Sequence, residues 1–208
     1  MKNHNLLLPC IVSAIILLCS CGGKSNSKAN DYFGEFPSMQ KQYIAELDKQ
    51  EKNTKEITDL AKAEKLFKEN EQLKSEMKSK VEEYVATNPF SKPIPFEPLP
   101  GTKYTVKNVS VNLAQLGNLN LKFTITINSD IVSSDGNAEG SLSIYYKAVD
   151  SKGADIPGSI TVASNATRAN LIAGAEYEAF GSWNSQTIAQ LEDFAKIIEI
   201  TRDEYDKK

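Results

Sequence analysis

The side chains that run most enzymes crowd into the first 21 positions of this 208-residue chain. Its one histidine is His4, and its three cysteines are Cys10, Cys19 and Cys21. Beyond Cys21 there is neither imidazole nor thiol, which removes histidine-based triads, thiol nucleophiles and His/Cys zinc sites from the rest of the chain. Serine–lysine pairs, carboxylates and tyrosines remain. Ser38-Met39-Gln40-Lys41 and Ser75-Glu76-Met77-Lys78 each place a lysine one helical turn from a hydroxyl. The Ser-Asp-Asn and Lys-Thr-Gly elements that accompany such a nucleophile are missing, and a lysine-rich stretch produces this spacing by chance.

Asp135-Gly136-Asn137-Ala138-Glu139-Gly140 copies the opening of a calcium loop, but Tyr146 stands where the bidentate glutamate belongs. A hairpin turn is the simpler reading. Gly22-Gly23-Lys24-Ser25 lacks the earlier glycine of a phosphate loop, since Leu18 occupies that place. Glu176 and Glu178 have the spacing of one strand face, and a solvated face accounts for them without glycoside chemistry. Tyr145, Tyr177, Phe180 and Trp183 are candidates for a sugar-stacking platform, although aromatics in a β domain default to its core. Tyr145 and Tyr146, being adjacent, must point to opposite faces, which leaves one of them at the surface. No catalytic residue, metal ligand or cofactor is assigned, and the chain is read as a protein that is not an enzyme.

The elements that hold these residues fall into blocks. Lys2 and the apolar run Leu6–Leu18 have the length of a signal-peptide core, shorter than the ~20 residues of a membrane span. Residues 1–20 are accordingly read as an export signal, and 21–37 as a tether that opens on the Gly, Ser, Asn and Lys of Gly22–Asn30. From Ser38 to Asn88 ten lysines and eleven acidic residues alternate without Gly or Pro, the composition of solvated helix. The spacing predicts helices near Ser38–Glu51 and Thr54–Thr87, with Asn53 as a cap, folded as a hairpin or run together as one rod. Leu60, Ala63, Leu66, Phe67, Leu73, Met77, Val81, Tyr84 and Val85 fall in one stripe. Within it Leu66, Leu73, Met77, Val81 and Tyr84 are the candidate contact residues.

Five prolines between Pro89 and Pro100 read as a stiff linker over 89–100. From Gly101 the period becomes two, clearest at Leu119, Leu121, Phe123, Ile125 and Ile127. Tyr104 and Val106 are out of phase with Val109 and Val111, which predicts a bulge near Lys107-Asn108. Further strands are expected at Ser141–Val149, Ser159–Ala163, Ala169–Phe180 and Lys196–Arg202. A short helix interrupts them at Ser185–Ala195, capped by Asn184 or Ser185. The expected fold is α+β: an N-terminal helical segment, then an antiparallel immunoglobulin-like β-sandwich over 101–208 with one short helix near its C-terminus.

Leu18-Cys19-Ser20-Cys21 resembles the bacterial lipobox, which implies that Cys21 becomes the first mature residue and carries lipid. The whole layout resembles lipoproteins of Bacteroidetes-type bacteria, with lipobox, charged helical segment, proline-containing crossover (here Asn88–Glu97) and C-terminal β-sandwich. Families of this layout mostly lack an assigned activity. The resemblance implies a cell-envelope protein anchored in the outer membrane, and basic Lys24 and Lys28 after Cys21 favour the periplasmic face. The net charge of −3 argues against nucleic acid as a partner and against anionic lipid as a general one. The expected partners are the membrane, through lipid on Cys21, and another envelope protein or a second copy. The function expected is contact or spacing, with a glycan- or ligand-binding module of an outer-membrane uptake system as the alternative.

Overall fold

The computed structural model of the chain describes residues 32–55, 59–87, 92–113, 118–131, 141–165 and 171–208. Two long helices come first, α1 (Phe36–Lys55) and α2 (Leu60–Thr87). They form a hairpin rather than a rod. The Phe36 ring stacks on Tyr84, with centroids 6.2 Å apart, and the Glu35 N–H donates to the Tyr84 hydroxyl at 3.0 Å. The start of α1 therefore meets the end of α2. The cap of α2 is Asp59, whose carboxylate accepts from the N–H groups of Ala61 and Lys62. Asn53, the expected cap, lies inside α1.

Buried and half-buried positions recur every three or four residues: Phe36, Gln40, Tyr43, Leu47 and Gln50 on α1, and Ala63, Leu66, Asn70, Leu73, Met77, Val81 and Tyr84 on α2. That is the spacing of a two-helix seam. Polar Gln40, Gln50 and Asn70 occupy seam positions, which is why the sequence pattern looks too irregular for heptads.

Seven strands follow: β1 (Phe96–Glu97), β2 (Tyr104–Leu113), β3 (Leu119–Ile127), β4 (Ser143–Asp150), β5 (Thr161–Ser164), β6 (Glu176–Trp183) and β7 (Phe194–Ile200). All belong to one mixed sheet in the order β1-β7-β4-β5-β6-β3-β2, nearly closed like a barrel. The immunoglobulin-like sandwich is not confirmed. Four-residue β5 joins β4 to β6, and the proline strip supplies β1, parallel to β7. Strands that a sandwich would leave as edges are thereby linked. The Ile94 N–H donates to the Val109 carbonyl of β2 at 3.0 Å, which nearly completes the circle. Residues 92–100 are thus part of the barrel wall rather than a free spacer.

The expected bulge is present, with the β2–β3 register shifting between Val106 and Asn108. It turns both halves of β2 inward, so Tyr104, Val106, Val109 and Val111 all reach the core. β3 alternates buried and half-buried along its whole length. β6 begins at Glu176, later than the expected Ala169. Asn184 caps the short α3 (Ser185–Ile188), accepting from the Thr187 N–H at 2.9 Å. A single 3₁₀ turn, Leu191–Asp193, then leads into β7, and α4 (Arg202–Tyr205) closes the chain.

Residues 32–37, read above as the end of a tether, instead plug one end of the barrel. Phe33 is 1 % and Phe36 0 % exposed. Phe33 packs edge-on against Trp183 and Phe194, and Tyr32 against Phe194. Val81 and Ile94 belong to the same buried cluster as Phe123, Tyr146 and Trp183. The boundary drawn at Gly101 therefore cuts through one shared core.

Candidate functional site

Cys21, the Gly23–Ser25 stretch and the Asp135–Gly140 loop lie outside the described residues. The two Ser-x-x-Lys pairs do not form nucleophiles. Ser38 Oγ and Lys41 Nζ each reach a different oxygen of Glu192, both at 3.3 Å. Both side chains are taken up by the one carboxylate, and the trio fastens α1 to the 3₁₀ turn. Lys78 pairs with Glu82 along α2.

Glu176 and Glu178 are exposed on the outer face of β6, where Lys107 and Lys122 on the neighbouring strands pair with them. Hydrogen bonding from Lys107 holds the Glu176 carboxyl below its usual range, so Glu176 is not poised as a general acid, and Glu178 is taken up by Lys122. The four aromatics do not make a platform. Trp183 and Tyr177 are buried, Phe180 is partly exposed on the outer face, and Tyr145 packs on Tyr205 at 4.9 Å. Tyr146 points inward and Tyr145 outward, as adjacency requires.

The deepest polar cluster was not anticipated. Glu199 on β7 is 4 % exposed, yet it accepts from the Leu99 N–H at 3.0 Å and from the Tyr104 hydroxyl. These groups meet where β1 and β2 close the barrel. Burial pushes the Glu199 carboxyl above its usual range, opposed by those two hydrogen bonds. Burial, then the bond to Glu199, pushes the Tyr104 phenol far up. The cluster fastens the seam where β1 and β2 meet β7. The signal was present in the alternation of β7, which places Glu199 in phase with buried Ile197.

A groove of about 390 Å³ lies between α1 and the plugged barrel end, lined by Lys41, Ile44, Pro157, Gln186, Ala189 and Gln190. Its walls are fixed from beneath. The Thr187 hydroxyl donates to the Gly158 carbonyl at 3.0 Å, and the Trp183 indole N–H donates to the Ser159 carbonyl at 3.2 Å. Ser159 in turn accepts from the Ala148 N–H at 3.0 Å. The groove offers amides and an apolar floor, without an acid–base pair. Among the described residues no three His, Cys, Asp or Glu side chains come together to hold a metal ion, and no helix is long and apolar enough to cross a membrane.

The candidate contact stripe divides. Val81 is buried, and Tyr84 packs on Phe36 and the core. Leu66, Leu73 and Met77 are half-buried in the seam against α1. Among the described stripe residues, Leu60, 76 % exposed, and Phe67, 63 % exposed, are left in solvent. They lie at the edge of the stripe, beyond the cover that α1 gives.

No protein family, curated protein or solved structure matches this chain.

Proposed function

We propose that this chain is a non-catalytic, lipid-anchored protein of the cell envelope that works by protein contact or as a spacer. Lipid on Cys21 attaches it to the outer membrane, with the chain facing the periplasm. The observation that carries the contact reading is the pair Leu60 and Phe67. Two large apolar side chains remain mostly in solvent on a hairpin arm whose other described large apolar side chains are buried or half-buried. Burying such side chains is worth ~1.5–3 kcal/mol each, so a partner that covers them gains affinity at little ordering cost from a preformed helix.

The groove beside α3 favours a second reading, a ligand-binding module of an uptake system. Its lining carries no aromatic ring, which makes a polar ligand the better fit than a stacked sugar. The anchor is tested by Cys21→Ala, which should move the protein from the membrane to the soluble fraction and abolish palmitate labelling. Labelling that persists on the variant refutes the anchor.

A further inference from the structure

We propose that residues 92–100 form a latch on the barrel seam, closed while Glu199 is protonated and loosened when it ionises. The strip is lightly stitched. Prolines at 93, 95, 98 and 100 have no N–H to donate, and its one strand, β1, is two residues long. Besides the pairing of β1 with β7, the Ile94 N–H donates to the Val109 carbonyl, the Pro95 carbonyl accepts from the Ile197 N–H, and the Leu99 N–H donates to Glu199. By contrast, β2 pairs with β3 from Tyr104 to Leu113, and β3 with β6 from Leu119 to Thr126. One end of the strip is therefore held by a side chain that titrates.

Glu199 is surrounded by hydrogen-bond partners rather than by cations. From the strip it meets the Leu99 N–H, and from β2 the Tyr104 hydroxyl. Its register partner on β4 is Tyr146, whose hydroxyl is directed at Gly181 instead and whose phenol is pushed up by burial. The nearby lysines are engaged elsewhere: Lys196 with Glu97, Lys147 with Asp155 and Glu204, and Lys103 with the Asp130 carbonyl. A protonated Glu199 is satisfied in place, accepting from Leu99 and donating to the Tyr104 oxygen. Ionised, it is a buried charge with two donors and no counter-ion among the described residues, which is costly. Lifting the strip lets water reach it, against the cost of withdrawing Ile94 from the core and Phe96 from Phe123. Burial holds the carboxyl above its usual range in the closed state, and hydration in the open state returns it to about 4.5. The open fraction therefore rises with pH between those two values and levels off above them. An open latch bares the edge of β7 and the interior behind Phe96.

Native-state hydrogen exchange on the full chain reads this opening, with each rate divided by that of an unprotected amide at the same pH. The Ile94 and Leu99 amides should open more readily than the Phe123 amide of β3. Their opening constant should rise by up to about tenfold per pH unit above pH 4.5 and then level off. Glu199→Gln should flatten the profile, because glutamine keeps both contacts and cannot titrate. Tyr104→Phe should extend the rise to higher pH, because it removes a donor that favours the carboxylate. The proposal is overturned if Ile94 and Leu99 share the Phe123 opening constant throughout, if the wild-type profile is flat, or if the rise persists in Glu199→Gln. A Tyr104→Phe profile that matches wild type overturns it as well.

Discussion

Glu199 offers the sharpest test of how the barrel closes. Its carboxylate accepts from the Leu99 N–H and the Tyr104 hydroxyl, and its folded pKa is raised above the ordinary 4.5. A raised carboxyl binds more protons in the folded state than in the unfolded one. Its contribution to stability is therefore fully present below about pH 4.5 and declines as pH rises through the folded value. Glutamine in its place removes the titration and keeps both contacts, because its Oε1 accepts from Leu99 and its Nε2 donates to the Tyr104 oxygen. The melting temperature of Glu199→Gln minus that of the wild type should therefore increase with pH above 4.5. Differencing the two proteins cancels the other carboxylates. Where Glu199 is ionised, Tyr104→Phe removes one hydrogen bond to a charged group, a loss of ~1.5–3 kcal/mol, or roughly 3–12 °C for a domain of this size. The loss should shrink by about half where Glu199 is protonated and the bond is neutral. Thermal melts from pH 3.5 to 8 read both effects. Parallel profiles for wild type and Glu199→Gln would refute the raised carboxyl, and a Tyr104→Phe melt equal to wild type would remove the seam fastening.

Two further perturbations separate the parts of the hairpin. Gly34 has φ +53°, and a Cβ there would lie 2.5 Å from the Tyr84 hydroxyl, whereas Gly174 at φ +84° has open space around it. Both alanine variants incur the left-handed backbone cost of ~1–2 kcal/mol; Gly34→Ala should lose measurably more in a thermal melt, because it also displaces the Tyr84 hydroxyl from the Glu35 N–H. Leu73→Asp places a charge in the half-buried seam and should destabilise by ~2–4 kcal/mol, lowering helical content before the β signal melts. A Leu73→Asp melt equal to wild type would mean the seam contributes nothing.

Much of the β domain was legible because period two survives wherever one face is buried. β3 follows the rule residue by residue, and the phase slip in β2 located its bulge. The Asn184 cap was legible because the chemistry of a cap is local. Closure was not. A two-residue parallel strand such as Phe96-Glu97 has no periodicity of its own, and the prolines around it point to a linker. What makes it a strand is the tertiary pairing of the Pro95 carbonyl with the Ile197 N–H, at 2.8 Å. Phe33 and Phe36 were missed for a related reason. Two aromatics in a short polar context carry no pattern, and only the barrel end gives them a place. The apolar stripe of α2 was legible from its spacing, and Tyr43, Ile44 and Leu47 on the first helix offered it cover; what the sequence hid was the regularity of the seam, because polar Gln40, Gln50 and Asn70 occupy positions in it.

Those polar seam residues also explain how one hairpin can be both anchor and arm. At its base, the Phe36–Tyr84 stack, the Glu35–Tyr84 hydrogen bond and buried Val81 tie the helices to the barrel core. Farther along the seam, Asn70 Oδ1 is buried without a hydrogen-bond partner, at a cost of ~1–3 kcal/mol, and Leu66 and Leu73 are only half-buried. Stability therefore falls along the hairpin from base to tip. Local opening follows such gradients, so the outer turns of the hairpin open at lower cost than its base, while the barrel, its plug and the Glu199 seam stay fixed. Replacing Asn70 with leucine should stiffen the arm, and slower hydrogen exchange in the outer half of α2, with the barrel unchanged, is the measurement that checks it.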